Sequence, residues 1–320
     1  MSSGFRYVFG PVPSRRLGRS LGINNIPPKN CTYSCVYCQL GRTRNLTVER
    51  RAFTDPELIL DEVSRVVERV GEENIDYITF VPDGEPTLDL NLGRIVSGLR
   101  EITSARLAIL TNSSLMYRPD VREDLMKFDL VSVKVDSVDG KVYRRVNRPH
   151  PSIELDTVLD GIRKFTAEYE GTVISETMLI DGLNDNLDSV KGVAEFLAEI
   201  EVDKAFISIP TRPPAEAWVK AASEQRVVEA YEVFRERLGE GRVETLIGYE
   251  GSEFALASGD VRRDVLGIMA VHPMRLDYFR EVVGRGGVNP DTLMSELLRE
   301  GLVRVVEYRG HKFLIRSFRK

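Results

Sequence analysis

"KNCTYSCVYCQLGRT", residues 29–43, holds every cysteine of the chain, Cys31, Cys35 and Cys38, and no fourth occurs in the 320 residues. A structural zinc ion takes four protein ligands, usually as two CxxC-like pairs, so the fourth would have to come from distant His150, His272 or His311. The alternative is an iron–sulfur cluster held by three thiolates, which leaves one iron open to a further ligand. Three clustered thiols with no distant partner make a poor disulfide framework, and a reducing compartment keeps them as thiols. No stretch approaches the roughly 18 consecutive apolar residues of a membrane span, and the start, MSSGFRYVFG, lacks a charged region followed by an apolar one. The expectation is a cytoplasmic protein with no membrane partner.

Outward from this loop the chain alternates strand and helix signals. In "TDPELILDEVSRVVERVG" (54–71) Thr54 and Glu57 have capping-box spacing, and Leu58, Ile59, Val63, Val66, Val67 and Val70 recur at helical spacing before Gly71. Strands are expected at 75–81, 106–111, 130–135, 172–180 and 204–209, with helices near 89–101, 120–127, 155–169, 187–200 and 223–238. Strands separated by helices of this length predict βαβ units, a parallel sheet, and chemistry at the carboxyl ends of the strands. The 42% hydrophobic content supplies a sizeable core for about two domains.

The spacing Cys-x3-Cys-x2-Cys, with the aromatic Tyr37 just before the third cysteine, resembles the signature of the radical S-adenosyl-L-methionine (SAM) superfamily. After the strand at 75–81, "PDGEPTL" (82–88) is similar to that family's Gly-Gly-Glu-Pro turn, with Asp83 where the first glycine usually stands. The resemblance implies that Gly84 and Glu85 hold the amino group of SAM. It also implies contacts to the ribose and carboxylate of SAM from "TNSS" (111–114), "KVDS" (134–137) and "SETMLIDGLND" (175–185), making Asn112, Lys134, Asp136, Ser137 and Glu176 candidates. Ile209, in "SIP" (208–210), falls where backbone meets the adenine. Polar residues at strand ends also commonly cap loops, and Asp83-Gly84 also reads as a plain turn. The likeness covers roughly residues 10–250 and implies an α/β fold, a partial (β/α)6 barrel open on one side. "FGPVPSRRLGRSLGI" (9–23) and "RVNRP" (145–149) look like a branch near the wyosine-base-forming tRNA enzymes. Those enzymes carry a second cluster on additional cysteines, which this chain lacks.

What the resemblance implies chemically is that Cys31, Cys35 and Cys38 hold a [4Fe-4S] cluster. One electron from a donor such as flavodoxin or ferredoxin passes through it to the sulfonium of SAM, and the resulting 5′-deoxyadenosyl radical abstracts a hydrogen from the substrate. No catalytic side chain beyond the cofactor ligands is identified.

Charge is unevenly spread. Residues 1–51 carry +8, residues 256–320 carry +4, and the remainder carries -17 within a total of -5. Basic surface beside a reactive site suits a polyanion, although solvated arginines give the same count. The domains expected are 1–255, the barrel, and 256–320, whose helices at "GDVRRDVLGIMAVHP", "LDYFREVVG" and "NPDTLMSELLREG" precede a hairpin with Arg309-Gly310 at its turn. Three helices and a two-stranded wing resemble a winged helix-turn-helix, for binding nucleic acid, binding protein or peptide, or docking alone. The functional expectation is modification of a tRNA or other RNA nucleoside. Protein or peptide modification, such as glycyl-radical activation, is the alternative, and a zinc-binding nucleic-acid-binding protein without catalysis is a third.

Overall fold

The computed structural model describes residues 7–248 and 256–317. Eight strands form one sheet in chain order: β1 (Val8–Ser14), β2 (Gly18–Ile23), β3 (Tyr77–Phe80), β4 (Arg106–Leu110), β5 (Leu130–Lys134), β6 (Thr172–Met178), β7 (Lys204–Ser208) and β8 (Val243–Leu246). β1 runs antiparallel to β2, and every pairing from β2 to β8 is parallel. Helices α1 (Pro56–Val70), α2 (Leu92–Ile102), α3 (Pro119–Leu125), α4 (Gly140–Val146), α5 (Leu155–Glu168), α6 (Leu187–Glu199) and α7 (Glu224–Leu238) lie between them. The expected partial (β/α)6 barrel is therefore present as β2 to β7, extended by the antiparallel β1 at one edge and by β8 at the other; the periodicity marked neither β8 nor the β1–β2 hairpin. β8 (VETL) is too short to show alternation. "FGPVPSRRLGRSLGI" carries its strands on either side of Arg15 and Arg16.

Residues alternate across the wall of the barrel, as pleating requires. Ile78, Phe80, Leu107 and Ile109 join the core under the helices, whereas Ala108, Leu130, Ile174, Phe206 and Leu246 meet Leu17 in a separate inner cluster. Helix α1 buries Ile59, Val63 and Val66 on one face, each worth roughly 1.5–3 kcal/mol of transfer free energy. Its N-cap is Asp55, which accepts from Glu57 N at 3.2 Å, with Pro56 as the first helical residue. The Thr54 capping box is thus displaced by one residue, because Pro56 fits the first turn and places Asp55 at the cap. Gly71 ends the helix at φ 84°. Helix α4, also unmarked in the sequence, is capped by Asp139, which accepts from Lys141 N and Val142 N.

Beyond residue 255 come α8 (Val261–Val271), β9 (Met274–Arg275), α9 (Leu276–Arg285), α10 (Pro290–Arg299), β10 (Val303–Tyr308) and β11 (His311–Arg316). The strands make an antiparallel sheet in the order β9-β11-β10. Val265, Ile268, Phe279, Val282, Leu293, Leu297 and Leu314 form a second core. Asn289 caps α10 ahead of Pro290, and Arg309 and Gly310 turn the hairpin at φ 50° and 75°. The boundary expected at 255 adjoins residues 249–255, which lie outside the described residues, as does Arg6 of the basic head.

This unit is docked on the barrel. Helix α8 packs on β1, and Val12 of β1 joins the second core. On the other side Tyr308 donates to the Pro210 carbonyl at 3.0 Å. The C-terminal unit thus touches the barrel at β1 through α8 and at the segment after β7 through Tyr308. Among the described residues no helix is long and apolar enough to cross a membrane.

Candidate active site

The cysteine loop is fixed at both ends. Asn30–Cys31 pair in parallel with Asn45–Leu46, and Arg44 N and Asn45 N both donate to the Lys29 carbonyl. Turns closed by Cys38 N to Cys35 O at 3.1 Å and Gly41 N to Cys38 O at 3.0 Å fold the middle of the loop. The loop docks edge-on against the turn after β3. Lys29 N donates to Asp83 O at 2.8 Å, and Glu85 N donates to Asn30 O at 3.1 Å. Between these two bonds lies Gly84, where a Cβ would stand 2.0 Å from the Asn30 carbonyl oxygen. Only glycine fits that approach. Asp83 serves the same junction, since its carboxylate lies buried 3.2 Å from the Lys29 ammonium. Burial pushes the Asp83 carboxyl up to about 6 against the pull of Lys29.

The three thiols suit a polynuclear centre. Burial raises the pKa of each, that of Cys35 to about 12, so a bound cation has to displace protons. Among the described residues no group of three His, Cys, Asp or Glu side chains is disposed to hold a single metal ion. The side-chain amides of Asn112 and Asn147 approach the sulfurs of Cys31 and Cys35 at 3.6 and 3.7 Å. Such N–H contacts to ligand sulfur tune a cluster's electronics.

Two buried carboxylates knit the surroundings of these thiols. Glu85, 1% exposed, accepts at Oε1 from Thr87 N, Thr87 Oγ1 and Thr111 Oγ1, and at Oε2 from Asn112 N. Burial raises its pKa and the four donors pull it back. Asp136, 3% exposed, accepts from Lys134 Nζ and Met178 N at Oδ1, and from Tyr37 Oη and Asn147 Nδ2 at Oδ2. An ionised carboxylate offers about four acceptor positions. Asp136 has all of its own engaged, and Glu85 carries three donors on Oε1 and one on Oε2, so both carboxylates position the loops around the thiols, and Glu85 Oε2 keeps an acceptor position for a further donor. Ser137 likewise exchanges its hydrogen bonds with Asp139 in the turn before α4. Asn112 keeps its place beside Cys31, its amide also donating to Thr32 Oγ1 at 2.7 Å.

A cavity of about 330 Å³ opens inside the barrel next to these groups. Of the candidates, Tyr37, Glu176 and Ile209 line it, together with Cys38. Glu176 reaches Arg16 from the β1–β2 turn and accepts from Ser208 Oγ at 2.9 Å, with Lys134 Nζ at 3.7 Å. Burial opposes its ionisation, but the charges of Arg16 and Lys134 prevail and hold its pKa at about 2. Burial also works against the Lys134 ammonium, and Asp136 and Glu176 more than offset it. Lys134 lies 5.2 Å from the centre of the Tyr37 ring.

The sequence reading missed Arg16, Asn147, Gln39 and His272. Arg16 and Asn147 sit inside the two branch-like motifs, which signalled a likeness without a role. Val271 and His272 bring the C-terminal domain into the cavity wall, where Gln39 donates to the Val271 carbonyl at 2.9 Å and accepts from Arg212 at 3.0 Å. Of the hairpin cations, Arg304, Arg309 and Lys312 are exposed, whereas Arg316 is half-buried and burial lowers its pKa.

Comparison with known proteins agrees with this geometry. UPF0026 protein MJ1312 of Methanocaldococcus jannaschii is 44% identical over 312 residues, covering 98% of this chain and 96% of its own. A probable dual-specificity RNA methyltransferase RlmN of Thermotoga sp. is 24% identical over 261 residues, covering 72% of this chain and 66% of its own. The solved structure of TYW1 with a lysine-pyruvate adduct bound superposes with a TM-score of 0.52 over 68% of this chain and 73% of that one, at 16% identity, and so shares the fold. The family model described as the radical SAM superfamily matches residues 25–197, more than half of the chain and spanning the cysteine loop, the Gly84-Glu85 turn and strands β3 to β6, and the protein belongs to that superfamily as a radical SAM enzyme using a [4Fe-4S] cluster and SAM.

Proposed function

We propose that this radical SAM enzyme modifies a nucleoside of tRNA or another structured RNA. The observation that carries the reading is the cavity itself, whose lining joins Cys38 of the cluster loop to Arg15, Arg16 and Arg212 from two other segments. Glu176, paired with Arg16, is the one carboxylate among the lining residues, so the wall keeps an excess of positive charge, which suits a polyanionic substrate. The kinship with a protein named as an RNA methyltransferase, spread over 72% of this chain, supports it.

Cys31, Cys35 and Cys38 would hold the cluster, with Asn112 and Asn147 donating toward two of the thiolates. Bound there, the cluster and SAM supply one-electron chemistry that ends in hydrogen abstraction from the substrate. Glu176 and Tyr37 supply fixed charge and an aromatic ring on the cavity side, Lys134 steadies both from behind, and Ile209 supplies wall. Val271 and His272 limit access of water from the open side of the barrel. A small electron-transfer protein such as flavodoxin or ferredoxin would serve as donor, and the C-terminal domain, a winged helix-turn-helix in this reading, would present the RNA.

The test is anaerobic incubation of the reconstituted protein with reductant, SAM and cellular tRNA, followed by nucleoside mass spectrometry. A new nucleoside mass accompanied by RNA-dependent 5′-deoxyadenosine is the expected result. Turnover on a protein or peptide with none on RNA would overturn the proposal.

A further inference from the structure

We propose that Trp218 is a stacking platform for an unpaired base of the RNA, held at the rim of the barrel mouth between cationic side chains. The inference rests on the RNA reading above and adds a site to it.

The segment between β7 and α7 continues from the cavity-lining residues Ile209 to Arg212 and passes over the cysteine loop. It is pinned there. Glu216 N donates to the Val36 carbonyl, in the backbone between Cys35 and Tyr37, at 3.1 Å, and Val219 N closes a turn onto Glu216 O at 3.0 Å. The Val219 side chain is 2% exposed, packed in a small core with Val36, Val146, Ile180 and Leu183. Between these two anchors Trp218 is 52% exposed, and it is the only tryptophan of the chain. A rigid loop therefore holds the largest aromatic side chain half in water.

The charges around it have a definite orientation. Glu216 accepts both guanidinium nitrogens of Arg42, at 2.9 and 2.8 Å, and also pairs with Arg148. Its side chain is only 7% exposed, whereas those of Arg42 and Arg148 are 71% and 40% exposed. The anion faces inward and the cations outward. Lys220, also exposed, follows Trp218 by two residues. An aromatic face flanked by cations is the recognition element for single-stranded nucleic acid, because every base has a face to stack and every linkage a phosphate to neutralise. Arg42, Arg148 and Lys220 together outweigh the one carboxylate of Glu216, and a neutral apolar peptide would use the ring without meeting that excess of positive charge, so the charge pattern favours RNA. The Glu216–Val36 bond ties this loop to the backbone between Cys35 and Tyr37, and the same segment begins with the cavity-lining residues Ile209 to Arg212, so the platform belongs to the chain segment that borders the cavity.

Because Trp218 is the only tryptophan, its fluorescence reports on this one site. The full-length protein is titrated with fluorescently labelled unpaired RNA oligonucleotides and with bulk tRNA, and Trp218 emission and label anisotropy are followed in parallel. The expected result is quenching that saturates at the same RNA concentration as the anisotropy. Trp218→Ala should weaken binding by roughly ten- to a hundredfold, with Trp218→Phe retaining most of it. RNA binding with unchanged emission and equal affinity in Trp218→Ala would overturn the platform and leave the RNA reading standing. Absence of any RNA binding by anisotropy would overturn both, and quenching by an apolar peptide but not by RNA would assign the ring to a protein partner instead.

Discussion

Replacing Gly84 by alanine tests whether the cysteine loop owes its position to the turn after β3. The added Cβ would lie 2.0 Å from the Asn30 oxygen and 3.0 Å from the Asn30 carbonyl carbon, both backbone atoms that no rotamer change can move. A tolerable carbon–oxygen contact is about 3.3 Å, so the two segments must part by roughly an ångström. That separation breaks the bonds on either side, Glu85 N to Asn30 O at 3.1 Å and Lys29 N to Asp83 O at 2.8 Å. At about 1–3 kcal/mol for each of the two bonds lost, the loss is about 2–6 kcal/mol. In a protein of 320 residues the melting temperature should fall by roughly 3–9 °C. Gly41→Ala is the control within the same loop. Gly41 has φ 85° and nothing within 4 Å of its added Cβ, so only the left-handed backbone penalty of about 1–2 kcal/mol applies. Calorimetry of both variants, with iron content after anaerobic reconstitution, separates the two costs. Gly84→Ala should lose both stability and iron, and Gly41→Ala should keep its iron. Wild-type melting and full iron in Gly84→Ala, or equal damage from Gly41→Ala, would refute the docking argument.

Alanine at Cys31, Cys35 or Cys38 should each abolish reductive SAM cleavage and the visible absorbance of the cluster; full cleavage by any one variant removes that residue from the ligand set. Breaking one side of the buried Lys29–Asp83 pair, whose side chains are 8% and 1% exposed, should cost about 3–5 kcal/mol, and Lys29→Met combined with Asp83→Leu should cost much less than the sum; additive losses in denaturant titrations would show that the pair is not coupled. Glu176 is held at about 2 from an ordinary value of 4.5, so its contribution is complete above that value and is lost as pH falls toward 2. The shift corresponds to about 3 kcal/mol, and the stability advantage of the wild type over Glu176→Gln should shrink between pH 5 and pH 3; a constant difference across that range would place the charge pairing elsewhere.

The part of the site that was legible in the sequence is the part built from neighbours in sequence. Three cysteines within one loop and Gly84-Glu85 within one turn announce themselves by spacing, and strands with continuous apolar runs announce the parallel wall. The protein partners of Glu85 and Asp136 were not legible, because they lie on other segments: Thr111 and Asn112 for Glu85, and Tyr37, Asn147 and Met178 for Asp136. A carboxylate at a strand end looks the same in sequence whatever the backbone and side chains it satisfies in the next loop. Arg16 is the extreme case, 160 positions from Glu176 and brought to it only by the β1–β2 hairpin. Its two flanking strands, VFGPVPS and GRSLGI, are broken up by glycine, proline and polar residues and offer no continuous apolar run.

A barrel left open on one side exposes the cavity to water, and hydrogen abstraction by a carbon radical requires that the reacting atoms be shielded from side reactions. The sequence reading treated residues 256–320 as a separate module for delivering substrate. The structure gives them a second duty. Helix α8 rests on β1, Tyr308 reaches Pro210 beyond β7, and between these contacts Val271 and His272 complete the cavity wall. Gln39, immediately after Cys38, ends its side chain on the Val271 carbonyl, so the residue next to a proposed cluster ligand is held by the C-terminal domain. Any displacement of that domain must therefore open the cavity and release Gln39 together. The same contacts that shield the centre thus couple it mechanically to the domain that would carry the substrate.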